Sequence, residues 1–294
     1  MPLAQILSLA DGRALCFDDV GDPSGSPVLL VHGTPDSRRA RHPDDGVTAA
    51  TGVRLIAVDR PGSGGSTPHP EGTVGSFADD AATLAAHLGI GRWAVLGWSA
   101  GALHALAVAA RHPSLTTVVG ITAGLPPFAA YADPGVLDGA SDSRLVVAEL
   151  GADLGPSATA EMLAPLLVPV PCTRELALEH LTGGMDPVRR AELDAVPGSL
   201  DVMAAALCDS VTSGLAGVTR DIELQVEPPD IDLTAVGGPV LLWYGTEDTT
   251  APPSFGRWLA EHLPDATLEV VDGAGHALVL PRWVPILRTI AAYP

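Results

Sequence analysis

The pentapeptide Gly97-Trp98-Ser99-Ala100-Gly101 has the residue types and spacing best suited to chemistry in this chain. A serine with glycines two residues to either side matches G-x-S-x-G, in which a sharp strand-to-helix turn lifts the hydroxyl clear of a sheet. Glycine at both positions avoids clashes across the turn, and the following helix N-terminus favours negative charge developing there. The implied chemistry is nucleophilic attack, for which a weak hydroxyl needs an adjacent base. Other chemistries lack their residues. The 16 basic residues are all arginine, which removes Schiff bases, PLP anchoring, Ser–Lys dyads and the P-loop lysine. His42, His69, His87, His112, His180 and His262 form no H-E-x-x-H or Cys/His cluster, so no metal or other cofactor is expected.

A turn of this kind needs a strand before it and a helix after it. Trp93-Ala94-Val95-Leu96 is a continuous apolar run, typical of a strand buried on both faces. Residues 99–111 are rich in Ala and Leu and stop before Pro113, which predicts a helix. Similar apolar runs predict strands at Val28–Val31, Val53–Val58, Val118–Ile121 and Val240–Tyr244, with a partly alternating one at Thr267–Val271. Residues 3–19 predict two short strands around the Asp11-Gly12 turn. Helices are predicted from Ser76, as cap, to Leu88, and over 254–263 and 282–292. Alternating strands and helices imply an α/β protein, with a mostly parallel sheet covered on both faces. The alternation breaks between Gly124 and Val236, where Pro126-Pro127 and Pro228-Pro229 frame several short helical segments. The expected organisation is a core of residues 1–123 and 237–294 and a helical cap over 124–236, inserted between the fourth and fifth parallel-type strands.

In this setting the sequence resembles the α/β-hydrolase fold family, and further segments agree. His32-Gly33-Thr34-Pro35 resembles the family's HG-x-P segment, which implies that the backbone N–H groups of Thr34 and Ala100 form an oxyanion hole and that His32 is structural. Residues Asp59 to Ser66 resemble its D-x-x-G-x-G-x-S turn, also structural. Gly245-Thr246-Glu247-Asp248 resembles the acid segment and Gly273-Ala274-Gly275-His276 the histidine loop, in the chain order Ser, Asp, His. The resemblance implies a triad. His276 would take the Ser99 proton and return it to the leaving group, and Asp248, or the adjacent Glu247, would orient the imidazole. The likeness covers the first 123 residues or so and the last 60, not the cap.

The reaction implied is hydrolysis of a small ester, thioester or lactone. A proline iminopeptidase-like aminopeptidase, a C–C bond hydrolase and a non-catalytic binding protein are the alternatives; Ser99 stands where haloalkane dehalogenases carry Asp. Trp98 is a candidate pocket residue or packing beneath the turn. His104 reads as a core histidine. The acids Glu149, Glu161, Glu175 and Glu179 read as solvated helix faces, with the sharper alternative that one binds a substrate amine. Met162, Leu163, Leu166 and Leu167 read as cap core. A net charge of −19 disfavours nucleic acid and anionic membrane as partners. Cys16, Cys172 and Cys208 share no motif spacing, which predicts no disulfide and a reducing compartment. With no apolar run near 18 residues and no secretory leader pattern, a cytoplasmic protein is expected.

Overall fold

Continuous apolar segments form the middle of one eight-stranded sheet. The computed structural model describes residues 4–293. Its strands are β1 (Gln5–Ser8), β2 (Ala14–Gly21), β3 (Ser26–Val31), β4 (Val53–Val58), β5 (Trp93–Trp98), β6 (Thr116–Thr122), β7 (Val240–Gly245) and β8 (Ala266–Val271). Their order is β1-β2-β4-β3-β5-β6-β7-β8. β1 and β2 pair antiparallel around Asp11-Gly12, where Gly12 takes φ 88°, and β2 runs antiparallel to β4; the rest is parallel. β5 and β7 are buried at every residue, as sheet strands covered on both faces must be. β8, at the edge, alternates in burial along most of its length.

Helices flank the sheet. α1 (Asp45–Ala49) packs with the C-terminal helix on one side, and α2 (Val74–His87) packs with α3 (Gly101–Arg111) on the other. α2 starts earlier than Ser76. Thr73 is its N-cap, and Ser76 sits three residues in, returning a hydrogen bond to the cap backbone. This reciprocal pair satisfies two helix-end donors at once, so the helix gains its first turn.

Between β6 and β7 lie α4 (Asp142–Leu167), α5 (Arg174–Thr182), α6 (Pro187–Asp194), α7 (Ser199–Asp209) and α8 (Ala216–Val226). α4 is two helical pieces, broken at Gly155 (φ 74°) just before Pro156. These inserted helices bury a small core of their own around Ala160, Ala164, Ala204, Leu207, Val218 and Ile222. Cys172 and Cys208 are joined by a disulfide with Cα atoms 5.1 Å apart. This overturns the expectation of unpaired cysteines: the pair lies 36 positions apart in sequence, so no motif spacing marks it, and helix packing brings the two together. The inference of a reducing compartment loses its basis. α9 (Pro253–His262) and α10 (Trp283–Ala291) complete the fold. Among the described residues no helix is long and apolar enough to cross a membrane.

Candidate active site

The chain leaves β3 for β4 on one side of the sheet, then crosses to β5 and proceeds outward to β8 on the other. A crevice opens at such a reversal, at the carboxyl ends of the strands. The segments singled out in sequence follow β3, β5, β7 and β8 at that edge.

Ser99, directly after β5, has φ 55°, a strained left-handed conformation for a residue with a side chain. Its flanking glycines are required by packing. A Cβ at Gly101 would lie 2.4 Å from the Val31 carbonyl oxygen, and one at Gly97 would lie 2.9 Å from the Ala105 Cβ. α3 therefore rests directly on β3 and β5. Gly33 is as constrained, since a Cβ there would come within 3.0 Å of the Ser99 Cβ.

The His276 Nε2 lies 3.1 Å from the Ser99 Oγ, and its Nδ1 lies 2.8 Å from the Asp248 Oδ2. Asp248 is buried, and its Oδ1 accepts the backbone N–H groups of Thr250 (2.8 Å) and Ala251 (2.9 Å). That fixes the carboxylate with its other oxygen toward the imidazole. Glu247, the alternative acid, is exposed, and its carboxylate accepts from the Thr246 hydroxyl at 3.3 Å, while the His276 Nδ1 is taken by Asp248. Trp98 does two things: it lines the cavity, and its indole N–H donates to the His276 carbonyl at 3.0 Å. Among the described residues, the backbone N–H groups of Thr34 and Ala100 have no protein acceptor, and both residues line the same cavity as Ser99.

The other histidines near Ser99 are structural. His32 is buried, accepts the Arg60 backbone N–H at 3.0 Å and meets the Gly33 carbonyl at 2.7 Å. Burial and the Arg60 charge hold it neutral. His104 is buried edge-on to Phe77, and desolvation lowers its pKa in the same way. The glycine-rich turn wraps Asp59, which accepts from the Gly65 N–H (2.9 Å), the Arg38 N–H (2.7 Å) and the Arg38 guanidinium (2.8 Å).

The cavity is about 660 Å³. Its walls are largely apolar, including Val147, Leu163, Leu166 and Leu167 of α4 and Met203 and Ile222 of the later inserted helices. Of the residues read as cap core in sequence, Leu163 and Leu167 pack on the smaller core and also face the cavity, whereas Leu166 and Met162 are exposed and outside that core, Leu166 at the cavity rim. Glu149, Glu161, Glu175 and Glu179 are exposed and outside it. Charged residues the sequence did not single out are present. Asp36 lines the wall two residues past Thr34, and burial pushes its carboxyl up to about 7 against the pull of Arg189 and Arg60. Arg189 lines it too, with its Nε buried and unpartnered.

Comparison with known proteins agrees with this fold. A family described as alpha/beta hydrolase fold matches residues 26–143. A proline iminopeptidase of Xylella fastidiosa is 37% identical over 121 residues, 38% of this chain and 36% of that protein. The chain thus spans about a third of the length of that relative. A pimeloyl-[acyl-carrier protein] methyl ester esterase of Chromobacterium violaceum is 29% identical over 249 residues, covering 83% of this chain and 85% of its own. The crystal structure of the esterase RhEst1 from Rhodococcus sp. ECU1013 superimposes over 99% of both chains, with a TM-score of 0.68 at 20% identity.

Proposed function

The chain is an α/β-hydrolase by fold, and from that premise we propose that it hydrolyses a small-molecule carboxylic ester, thioester or lactone through an acyl-enzyme on Ser99. The observation that carries this reading is the continuous Ser99–His276–Asp248 hydrogen-bond chain, at 3.1 and 2.8 Å, opening into a largely apolar cavity. His276 removes the Ser99 proton as the hydroxyl attacks the acyl carbon, and delivers it to the leaving oxygen or sulfur. Asp248 fixes the tautomer and stabilises the imidazolium. The tetrahedral oxyanion accepts from the Thr34 and Ala100 amides, whose lack of protein acceptors leaves both free for it. Water activated by His276 then releases the acid. The residues from Gly124 to Val236 act as a cap on a core of 1–123 and 237–294, and their leucines supply the acyl wall.

The wild-type protein is expected to turn over short- and medium-chain p-nitrophenyl esters and to be labelled at Ser99 by a fluorophosphonate. Ser99→Ala should abolish labelling and lower kcat at least about 10⁴-fold. Retained activity in that variant sinks the proposal.

The likeness to proline iminopeptidases favours a second reading, in which the same triad cleaves an N-terminal aminoacyl amide. Such a substrate needs an acid for its ammonium group. The four cap glutamates are exposed and outside the cavity, but Asp36, Asp186 and Glu247 line it; Asp36, with its raised pKa, is a weak partner for a cation at neutral pH, which leaves Asp186 and Glu247 as the acids to test. Release of naphthylamine from Pro-β-naphthylamide, with no ester turnover, would reverse the order of the two readings.

A further inference from the structure

Two buried carboxylates on the inserted helices grip the two loops that the triad reading depends on. Glu192, on α6, is 8% exposed. One of its oxygens accepts the Gly275 N–H at 2.6 Å, and the other accepts the Ala277 N–H at 2.9 Å. These amides flank His276. From the core, the loop is held at other atoms: the His276 carbonyl by Trp98, the Ala274 carbonyl by the Glu247 N–H, and the Gly273 N–H by the Thr246 hydroxyl. The α6 side chains lie so close that a Cβ at Gly275 would meet the Glu192 carboxylate and a Val188 methyl, each at 3.1 Å.

Asp221, on α8, does the equivalent at the other loop. It forms a bidentate pair with the fully buried Arg60 (2.5 and 2.7 Å) and accepts from the Thr34 hydroxyl at 3.0 Å. Arg60 in turn donates to the carbonyls of His32 (3.1 Å) and Gly33 (2.7 Å) and to the Thr34 hydroxyl (2.9 Å). The main chain that offers the Thr34 N–H is therefore fixed through a residue of the inserted helices.

We propose that Glu192 and Asp221 are positioning residues, so that the base and the oxyanion donor are in place only while the inserted helices are docked on the sheet. This rests on the triad reading above. A charged acceptor spanning both amides beside His276 is a strong, directional hold, since hydrogen bonds to ionised groups are shorter and stronger than neutral ones. Displacement of a catalytic group by about 1 Å can cost 10²-fold in rate. Closure of the cap over substrate would thus set the machinery as well as exclude water.

The test uses Glu192→Gln, which keeps the shape but replaces one acceptor with a donor, Glu192→Ala, and Thr34→Val, which removes the hydroxyl and leaves the Arg60–Asp221 pair intact. Each is measured for kcat and KM on a p-nitrophenyl ester, for the rate of fluorophosphonate labelling, and for amide hydrogen exchange in the peptide around 273–278. The expected result for Glu192→Gln is a fall of about 10- to 10²-fold in both kcat and labelling rate with KM unchanged, together with faster exchange in the 273–278 peptide. Glu192→Ala should lose more. Thr34→Val should slow labelling without changing exchange at 273–278. Wild-type labelling rates in folded Glu192→Ala, or a loss confined to KM, overturn the proposal and leave the hydrolase reading standing. If the wild type itself neither labels nor turns over, the hydrolase reading fails; in that case unchanged exchange at 273–278 in Glu192→Ala overturns the hold as well, and faster exchange supports it.

Discussion

Asp36 shows how the cavity sets the state of a single residue. An aspartate whose folded pKa is about 7 binds its proton more tightly folded than unfolded. The folded protein then holds more protons than the unfolded chain between about pH 4, the ordinary carboxylate value, and pH 7, so this group makes stability fall as pH rises through that window. Below the window the penalty is absent, and above it the penalty is complete. Asp36→Asn removes the titration. Its thermal midpoint should match wild type near pH 4 and exceed it increasingly up to pH 8, as read by calorimetry across that range; a constant difference would refute the account. Asp36 was not singled out in sequence, although it lies two residues past Thr34. Ser99, Asp248 and His276 were legible because each sits in a short segment directly after a strand, where local spacing carries the information. Glu192 and Asp221 were not, because their partners are 83 and 161 residues away and include backbone amides, which have no sequence identity to match.

At the level of elements, the contact between α3 and β3 decides where Ser99 points. Gly101 lets the helix backbone approach the Val31 and His32 carbonyls, with a hypothetical Cβ 2.4 and 2.7 Å from their oxygens. Gly101→Ala should force the helix outward. Overpacking of this kind costs about 1–3 kcal/mol, to be read as a lower denaturation midpoint in urea, and esterase activity should fall by more than the loss of folded protein explains. An alanine variant with wild-type midpoint and activity would show that the approach is not tight. The core elements were legible because buried strands read as unbroken apolar runs and the helices between them as capped, helix-forming segments. α2 was placed late because its cap is Thr73, which precedes an apolar Val74, while Ser76 resembles a cap and is the reciprocal partner of one. The inserted helices were legible only as helical punctuation. The apolar residues of α4 face the cavity at Val147 and Leu163 and solvent at Leu145 and Met162, so no single stripe announces what the helix covers.

For the whole molecule, one sheet-centred core and one smaller helical core meet at the cavity. The smaller core is built mostly of alanine, valine and leucine side chains, and the Cys172–Cys208 bond closes a segment of 36 residues within it. Closing a ring of that length removes unfolded-state entropy worth about 3–5 kcal/mol. Replacing both cysteines by serine should lower the stability of the inserted helices by up to that amount while the sheet-centred core unfolds as before. Hydrogen exchange resolved by peptide separates the two, and equal loss of protection in both regions would contradict it. The remaining thiol, Cys16, is buried in the sheet and pushed up to about 12, chiefly by desolvation, so it stays unreactive while the core is folded.

The same bond changes what cutting the chain does. Residues 173–207 form a closed ring that contains α5, α6 and most of α7, with Glu192 inside it. A protease that severs one peptide bond there yields two polypeptides that remain a single covalent molecule. Reductant together with denaturant, which undoes the β6–β7 pairing, would then separate them into one fragment carrying Ser99 and another carrying Asp248 and His276.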